Sequence, residues 1–134
     1  MGARYKELGI RTATPEQLVV LLYEGAMQQI QRAGAFHEQG KLGERGAAIS
    51  RALAIVGELQ HSLDQDAGGE IAGNLHSLYF FVSDRLLEAN MTNRVGALGE
   101  ALGVLKTLHE AWAVIASPVR EGVQEPGPET AAVG

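Results

Sequence analysis

Residues 15–39 constrain the fold most strongly, because their apolar side chains recur with the period of an α-helix and cover more than one face. At about 100° per residue these side chains span an arc of roughly 260°, whereas a surface helix of a bundle usually needs an apolar stripe only slightly wider than about 100°. Val20, Tyr23 and Met27 lie on the flank that exceeds such a stripe. We therefore expect this flank to contact something beyond the core, although Tyr23 fits a core position equally well.

Helix start and stop signals divide the chain into four helices. Thr14 and Gln17 form a capping box around Pro15, which suits a first helical position. Glycines at 40, 68 and 69 interrupt the periodic pattern, Thr92 or Asn93 is the expected cap of the fourth helix, and Pro118 marks its end. The predicted helices cover about residues 15–39, 44–65, 70–90 and 93–117.

The two later helices each show one apolar stripe at the spacing of a helix face. In the third helix the predicted core stripe consists of Ile71, Leu75, Leu78, Val82, Leu86 and Ala89. In the fourth helix it consists of Leu98, Ala101, Leu102, Leu105, Leu108, Trp112 and Ile115.

Similar helix lengths and short connections favour antiparallel neighbours, so the expected fold is an all-α, antiparallel up-down four-helix bundle over residues 14–117. Residues 1–13 show few helix signals and are expected to cap the bundle. Residues 118–134 are rich in Pro, Gly and Glu and offer little to bury, so we expect a disordered tail.

Composition narrows the classes of function. The 134 residues carry a formal net charge of −5, which argues against nucleic acid as a partner. The chain has no cysteine, which excludes disulfides, thiolate metal sites and cysteine nucleophiles and suits a reducing compartment. No apolar run approaches the roughly 18 residues of a membrane span, and residues 1–6 lack the apolar stretch of a secretory signal. We expect a cytoplasmic protein without membrane insertion.

The residue patterns that could support catalysis or cofactor binding are weak. Glu58 and His61 form one Glu-x-x-His, but a di-metal bundle site needs a second copy. His37 and Lys41 have the spacing found in histidine phosphotransfer bundles, yet Gly40 places them at a helix end. We therefore expect no enzyme, no metal and no cofactor, and keep a phosphotransfer bundle as an alternative function.

A binding role explains more of the residues. The N-terminal segment carries three large apolar side chains on a short tether, and the third and fourth helices carry apolar side chains beside their stripes. Such surfaces suit an amphipathic partner segment bound in a groove between helices, whereas a structural homodimer is the alternative. The free protein is expected to be a monomer or a weak homodimer. The candidate lid residues are Tyr5, Leu8 and Ile10, and the candidate groove residues are Val20, Tyr23, Met27, Phe80, Leu87, Val104 and Leu108, of which Leu108 could equally belong to the core.

Three separate segments resemble the FliS-type flagellin export chaperones in order and spacing. The first contains Tyr5, Thr12, Ala13, Thr14, Pro15, Gln17, Leu18, Leu21, Leu22, Tyr23, Glu24 and Gly25. The second contains Leu63, Asp64, Gln65, Gly68, Gly69, Glu70, Ile71, Ala72, Asn74, Leu75, Leu78, Tyr79, Leu86, Leu87, Ala89 and Asn90. The third contains Ala111 and Trp112.

The resemblance implies a cytoplasmic four-helix bundle that is not an enzyme. Proteins of this type hold the disordered C-terminal segment of new flagellin, prevent its early polymerisation and help deliver it to the flagellar type III export apparatus. Their N-terminal segment can cap an apolar groove until flagellin displaces it, and Tyr5 matches the tyrosine of that segment. Two departures from the family pattern are Gly2, where relatives often have an apolar residue, and Phe80, where a more polar residue is common.

Overall fold

The computed structural model describes residues 13–66 and 69–116, and these residues form four α-helices without any strand. The predicted all-α fold is therefore confirmed. The N-terminal segment with Tyr5, Leu8 and Ile10, and the tail from residue 117 onwards, lie outside the described residues. The helices are α1 (Pro15–Glu38), α2 (Leu42–Asp66), α3 (Gly69–Thr92) and α4 (Gly96–Ala116).

The start and end of α1 follow the local signals in the sequence. The Thr14 hydroxyl accepts a hydrogen bond from the Gln17 backbone amide at 3.1 Å, and the Gln17 side chain accepts one from the Thr14 amide at 3.0 Å. Two otherwise free amides at the helix start are thereby satisfied. At the other end Gly40 has a φ of 74°, a left-handed conformation that glycine adopts without steric cost.

The connection between α3 and α4 differs from the prediction. Helix α3 continues to Thr92, whose hydroxyl donates to the Glu88 carbonyl at 2.7 Å instead of capping the next helix. Asn93 then has a φ of 59°, which asparagine tolerates better than most residues. The chain therefore turns at Asn93, and α4 begins only at Gly96.

The helices form a ring in which α1 and α3 are diagonal and each packs against α2 and α4. Side-chain contacts show that neighbours run antiparallel. Gly25 of α1 lies beside Ile55 of α2, and the Gln17 amide group donates to the Ala116 carbonyl at the end of α4. The start of α1 and the end of α4 are therefore adjacent, as an up-down bundle requires.

The buried core confirms the four predicted helices, but part of the buried face of α3 differs from the predicted one. Its buried side chains follow the alternating three- and four-residue spacing of a bundle seam. Ile71 and Ile115 of the predicted stripes are instead 73% and 54% exposed, and Leu78 is also exposed. The buried positions of α3 are Ala72, Tyr79, Val82, Leu86 and Ala89.

The wide apolar arc of α1 is mostly covered within the bundle, because this helix has two packed neighbours. Tyr23 is fully buried, and Met27 packs against the core from a half-buried position. The expectation that this flank faces something beyond the core is therefore wrong for Tyr23. The exposed large apolar side chains of α1 are Leu18 and Leu21.

Ionic contacts concentrate at the end of the bundle that holds the α1–α2 and α3–α4 turns, which we call the turn end. Arg85 of α3 contacts Glu88 at 2.8 Å and Glu100 of α4 at 3.3 Å, and Arg94 contacts the same two glutamates. These contacts tie α3 to α4 at their turn.

Arg45 is a buried cation at the same end. Its guanidinium donates to Nδ1 of His37 at 2.9 Å and to the Asn90 carbonyl at 3.5 Å. Because arginine only donates, His37 accepts through Nδ1 and carries its proton on Nε2. The cation also faces the carboxyl-terminal turns of α3, where the helix dipole favours positive charge.

Candidate functional site

A cavity of about 360 Å³ lies at the opposite end of the bundle, which we call the cavity end. All four helices contribute to its wall, and Pro15 and Glu16 form an exposed part of its rim. Its size falls within the roughly 300–1,000 Å³ range of ligand pockets. The lining residues are Pro15, Glu16, Val19, Leu59, Ser62, Leu63, Tyr79 and Trp112.

A buried pair of tyrosines connects this cavity to the core. The hydroxyls of Tyr23 and Tyr79 lie 2.6 Å apart across the diagonal of the bundle, and their ring centroids are 6.3 Å apart. The indole N–H of Trp112 can only donate, and its interaction with the Tyr23 oxygen lowers the pKa of Tyr23. In the contact between the two tyrosines either hydroxyl can be the donor.

Burial keeps both tyrosines neutral. Burial raises the pKa of Tyr23 far above its usual range, and the hydrogen bond with Tyr79 raises the pKa further. Burial likewise raises the pKa of Tyr79, while the hydrogen bond from Tyr23 acts in the opposite direction. The pair therefore supplies a fixed, uncharged hydroxyl contact beneath the cavity.

A second apolar surface lies between α3 and α4. The Arg85–Glu100 contact shows which side of α3 faces α4, and Leu78 and Phe81 lie on that side at helical spacing. Phe81 stacks under the Arg85 guanidinium, with 5.7 Å from its carbon to the ring centroid. We call this surface the α3–α4 groove. It comprises Ile71, Leu78 and Phe81 of α3 and Val104 and Ile115 of α4.

A third apolar surface lies on the opposite flank of α3. Asn90 faces α2, because its side-chain oxygen lies 3.5 Å from the position of a Cβ on Gly46. Phe80, Leu87 and Met91 lie on the same flank and are 70%, 45% and 79% exposed. We call these three residues the α3 outer row. Such large exposed side chains at one spacing are typical of an interaction surface.

The predicted groove residues occupy several surfaces instead of one groove. Phe80 and Leu87 belong to the α3 outer row, whereas Val104 and Leu108 pack against the core from the α4 side. Val20 and Met27 are half-buried on the side of α1 that faces α4. Tyr23 belongs to the core and reaches the candidate site only through Tyr79. Tyr5, Leu8 and Ile10 lie outside the described residues.

Several residues of these surfaces were missed by the sequence reasoning. Met91 continues the Phe80–Leu87 spacing by four residues and could have been found from the same helical wheel. Phe81 lies next to Phe80 and was not assigned to either face. The cavity had no local signal, because it is lined by side chains from all four helices.

The histidines and acids of the described ranges do not form a metal site. Among residues 13–66 and 69–116, no group of three His, Asp or Glu side chains is placed to hold a metal ion. Within the same ranges, no helix combines the length and the apolar character that crossing a bilayer requires.

Comparison with known proteins gives one consistent result. The family model described as flagellar protein FliS matches residues 1–119. The flagellar secretion chaperone FliS of Salmonella typhimurium is 42% identical over 107 residues, which cover 79% of each chain. Flagellar secretion chaperone FliSB of Pseudomonas aeruginosa is 35% identical over 106 residues, covering 79% of this chain and 84% of that protein. FliS of Escherichia coli is 32% identical over 107 residues.

The family match spans the whole described bundle, and the relatives named above align with about four fifths of the chain. The chain therefore belongs to the FliS family of flagellar proteins.

Proposed function

We propose that this protein is a cytoplasmic export chaperone, without enzymatic activity, that binds the disordered C-terminal segment of flagellin. Binding prevents premature polymerisation and supports delivery to the flagellar type III export apparatus, whose components are further partners. One observation carries this proposal: relatives that align with about four fifths of the chain are named flagellar secretion chaperones.

The apolar surfaces around α3 suit a disordered client segment that becomes an amphipathic helix on binding. The α3–α4 groove and the α3 outer row expose aromatic and aliphatic side chains on both flanks of one helix. Each side chain that a client covers fully contributes roughly 1.5–3 kcal/mol, whereas ordering a disordered segment costs about 1–2 kcal/mol per residue. A client that becomes helical along these surfaces gains apolar contact on both flanks of α3, and this gain opposes the ordering cost.

The proposed client contacts extend beyond α3. Val104 and Leu108 border the α3–α4 groove from α4, and Phe80 and Leu87 supply the α3 outer row. Val20 and Met27 are proposed as weaker contacts, since both are half-buried. Tyr23 contributes to client binding only indirectly, because the Tyr23 hydroxyl contacts the hydroxyl of Tyr79 at the cavity wall.

We propose that residues 1–12 cover part of these surfaces when no client is bound. This segment joins the bundle at Ala13, directly before the cavity rim at Pro15 and Glu16. At up to about 3.3 Å per residue, the side chains of Tyr5, Leu8 and Ile10 can reach either the cavity or the α3–α4 groove.

Calorimetry tests the proposal with the C-terminal segment of the host's flagellin and the full-length chain. We expect one segment per chaperone and a negative heat-capacity change from apolar burial. Phe81→Glu places a charge in the α3–α4 groove and should weaken binding by at least about tenfold. Leu42→Glu is the matched control, because Leu42 is a half-exposed apolar residue at the turn end.

Absence of binding at micromolar concentrations would contradict the proposal. Equal losses in Phe81→Glu and Leu42→Glu would contradict the choice of groove, because the two substitutions introduce the same charge on different helices and surfaces.

The alternative functions gain no support from the described residues. His37 lies in the last turn of α1, where its Nδ1 accepts from Arg45, instead of standing exposed in mid-helix. Met27, which a homodimer would use, packs partly against the protein's own core.

A further inference from the structure

The side of the bundle formed by α2 and α3 combines large and small exposed residues. In the α3 outer row, Phe80, Leu87 and Met91 are 70%, 45% and 79% exposed. The outward face of α2 carries small residues at alternating spacings of three and four, which places them on one side of the helix. These exposed residues, which we call the α2 track, are Gly43, Ala47, Ser50, Ala54 and Gly57.

The α3 outer row lies directly beside the α2 track. The side-chain oxygen of Asn90 lies 3.5 Å from the position of a Cβ on Gly46, which fixes the two helices at one level. Because α2 and α3 run antiparallel and each residue rises by about 1.5 Å, Phe80 lies at the level of Gly57. Met91 likewise lies at the level of Gly46. Large apolar side chains of α3 therefore stand next to the smallest residues of α2.

Packing within the described chain does not account for the glycine in the middle of α2. A Cβ on Gly57 would meet no atom within 4 Å, so an alanine would fit there. Glycine weakens the interior of a helix relative to alanine, and the packing of the monomer gains nothing in return. A second molecule placed against the α2 track does gain, because the missing side chain allows a close approach to the backbone.

The α3 outer row and the α2 track of one chain complement those of a second copy. A two-fold axis parallel to the bundle axis keeps every residue at its own level and brings α3 of each copy opposite α2 of the other. Phe80 then lies over Gly57 of the partner subunit, and Leu87 lies over Ser50 of the partner subunit. Each copy uses the same patch, as an isologous interface requires.

We propose that the α2–α3 side of the bundle is the interface of a weak homodimer, in which the α3 outer row of each copy packs into the α2 track of the other. The occupant is a second copy, because one chain carries both complementary parts at matching levels. This interface lies on a different side of the bundle from the Met27 flank of α1.

The size of the surface sets the expected strength. Two neighbouring helices about 10 Å across present a face roughly 20 Å wide, and the α2 track extends over about 25 Å. Each copy would therefore cover roughly 500 Å² of the other, or about 1,000 Å² in total, which is the lower limit for a specific interface. We expect a dimer that dissociates in the micromolar range.

Dimerisation of this kind affects client binding. Phe80 and Leu87 are client contacts in the proposed function, and the dimer covers both. The dimer and the client therefore exclude one another on the α3 outer row. This consequence rests on the proposed function, whereas the self-association does not.

Sedimentation equilibrium of the full chain between ~1 μM and ~1 mM tests the self-association without flagellin. Gly57→Glu fills the α2 track and should raise the dimer dissociation constant by at least about tenfold. Gly103→Glu is the matched control, because Gly103 is also exposed, lies within a helix and has nothing within 4 Å of its Cβ position. Gly103 belongs to α4, which is diagonal to α2, so this variant should leave the dissociation constant unchanged.

Thermal denaturation keeps the comparison free of folding defects. Glutamate is a better helix former than glycine, so both variants should be at least as stable as the parent chain. Cross-linking gives an independent measurement, because the chain has no native cysteine. Ala54→Cys should form dimers with a short bismaleimide, whereas Gly103→Cys should not.

Three outcomes overturn the proposed interface. They are a monomer at every concentration, equal weakening by Gly57→Glu and Gly103→Glu, and equal cross-linking of the two cysteine variants. Adding the flagellin segment then tests the exclusion. One chaperone per client supports the exclusion, and a complex of two chaperones with two clients contradicts it. Absence of client binding would contradict the proposed function and would leave the result on the dimer unchanged.

Discussion

The two halves of the bundle are stabilised differently. The turn half comprises residues 27–54 and 81–106, and the cavity half comprises residues 13–26, 55–66, 69–80 and 107–116. In the turn half, Arg85, Arg94 and their glutamate partners join α3 to α4, and the buried Arg45 connects α2 to the end of α1 and to α3. In the cavity half, a cavity of about 360 Å³ lies between the helices, and Glu24 contacts His109 at 3.0 Å. Charged contacts therefore join neighbouring helices in the turn half, whereas the cavity half is joined by the buried tyrosine pair and has exposed glutamates around an open cavity.

This difference indicates that the two halves of the bundle have different roles. Binding surfaces are usually drawn from the less stable parts of a protein, since a surface that must change its contacts cannot be fully packed beforehand. The turn half can hold the register of the four helices while contacts at the cavity end are exchanged. The predictions below test this difference between the two halves.

The largest expected effect comes from removing a core leucine in each half. Leu86→Ala, in the tightly packed turn half, should lower the free energy of unfolding by about 3–5 kcal/mol. Leu59→Ala should cost less, about 2–3 kcal/mol, because Leu59 already borders the cavity and loses fewer contacts. Urea denaturation measures both values, and equal losses would contradict the difference in packing.

The second prediction concerns the two buried tyrosines of the cavity half at high pH. Their folded pKa values are raised, so the folded state keeps protons that the unfolded chain releases near pH 10. The stabilising effect is fully present below about pH 10 and is lost as the pH rises from there towards the folded pKa values. Each tyrosine should contribute a fall of about 1.4 kcal/mol per pH unit above pH 10.

Tyr23→Phe tests this dependence directly. The variant should show a shallower fall of unfolding free energy above pH 10, because one fewer buried hydroxyl ionises on unfolding. Denaturation at several alkaline pH values measures the slope. An unchanged slope in Tyr23→Phe would show that folding does not raise the pKa of the Tyr23 hydroxyl.

The smallest expected effect comes from neutralising one acid in each half. Glu100→Gln removes contacts with Arg85 and Arg94 and should lower the free energy of unfolding by about 0.5–1 kcal/mol, less at high salt. Glu110→Gln in the cavity half reduces repulsion among acids and should raise the free energy of unfolding by roughly a few tenths of a kcal/mol. Destabilisation of similar size by both variants would contradict the charge asymmetry.

The helices were predictable because their signals are local. The capping box at Thr14 and the glycine at position 40 act on their immediate neighbours, and the structure realises both. The phase of α3 was harder to predict. Ile71 and Leu78 are more hydrophobic than Ala72 and look like core residues, but the seam spacing places Ala72 and Tyr79 inside.

The candidate site was only partly predictable, because it depends on how helices meet. A helical wheel identified Phe80 and Leu87 as lying off the core stripe, and both are exposed. The same method could not show that α1 has two packed neighbours, so it could not place Tyr23. The cavity needs side chains from all four helices at once, and the periodicity of a single helix does not encode how the helices meet.

The contact between Gln17 and the Ala116 carbonyl has a practical consequence. Because the first and last helices meet there, a fusion tag joined directly to Ala13 or Ala116 would lie at the cavity end and compete with whatever binds the cavity. A circular permutant that links the termini and opens the chain at the Gly40 turn would move both new ends to the opposite pole. Reporter domains attached there would leave the cavity unobstructed.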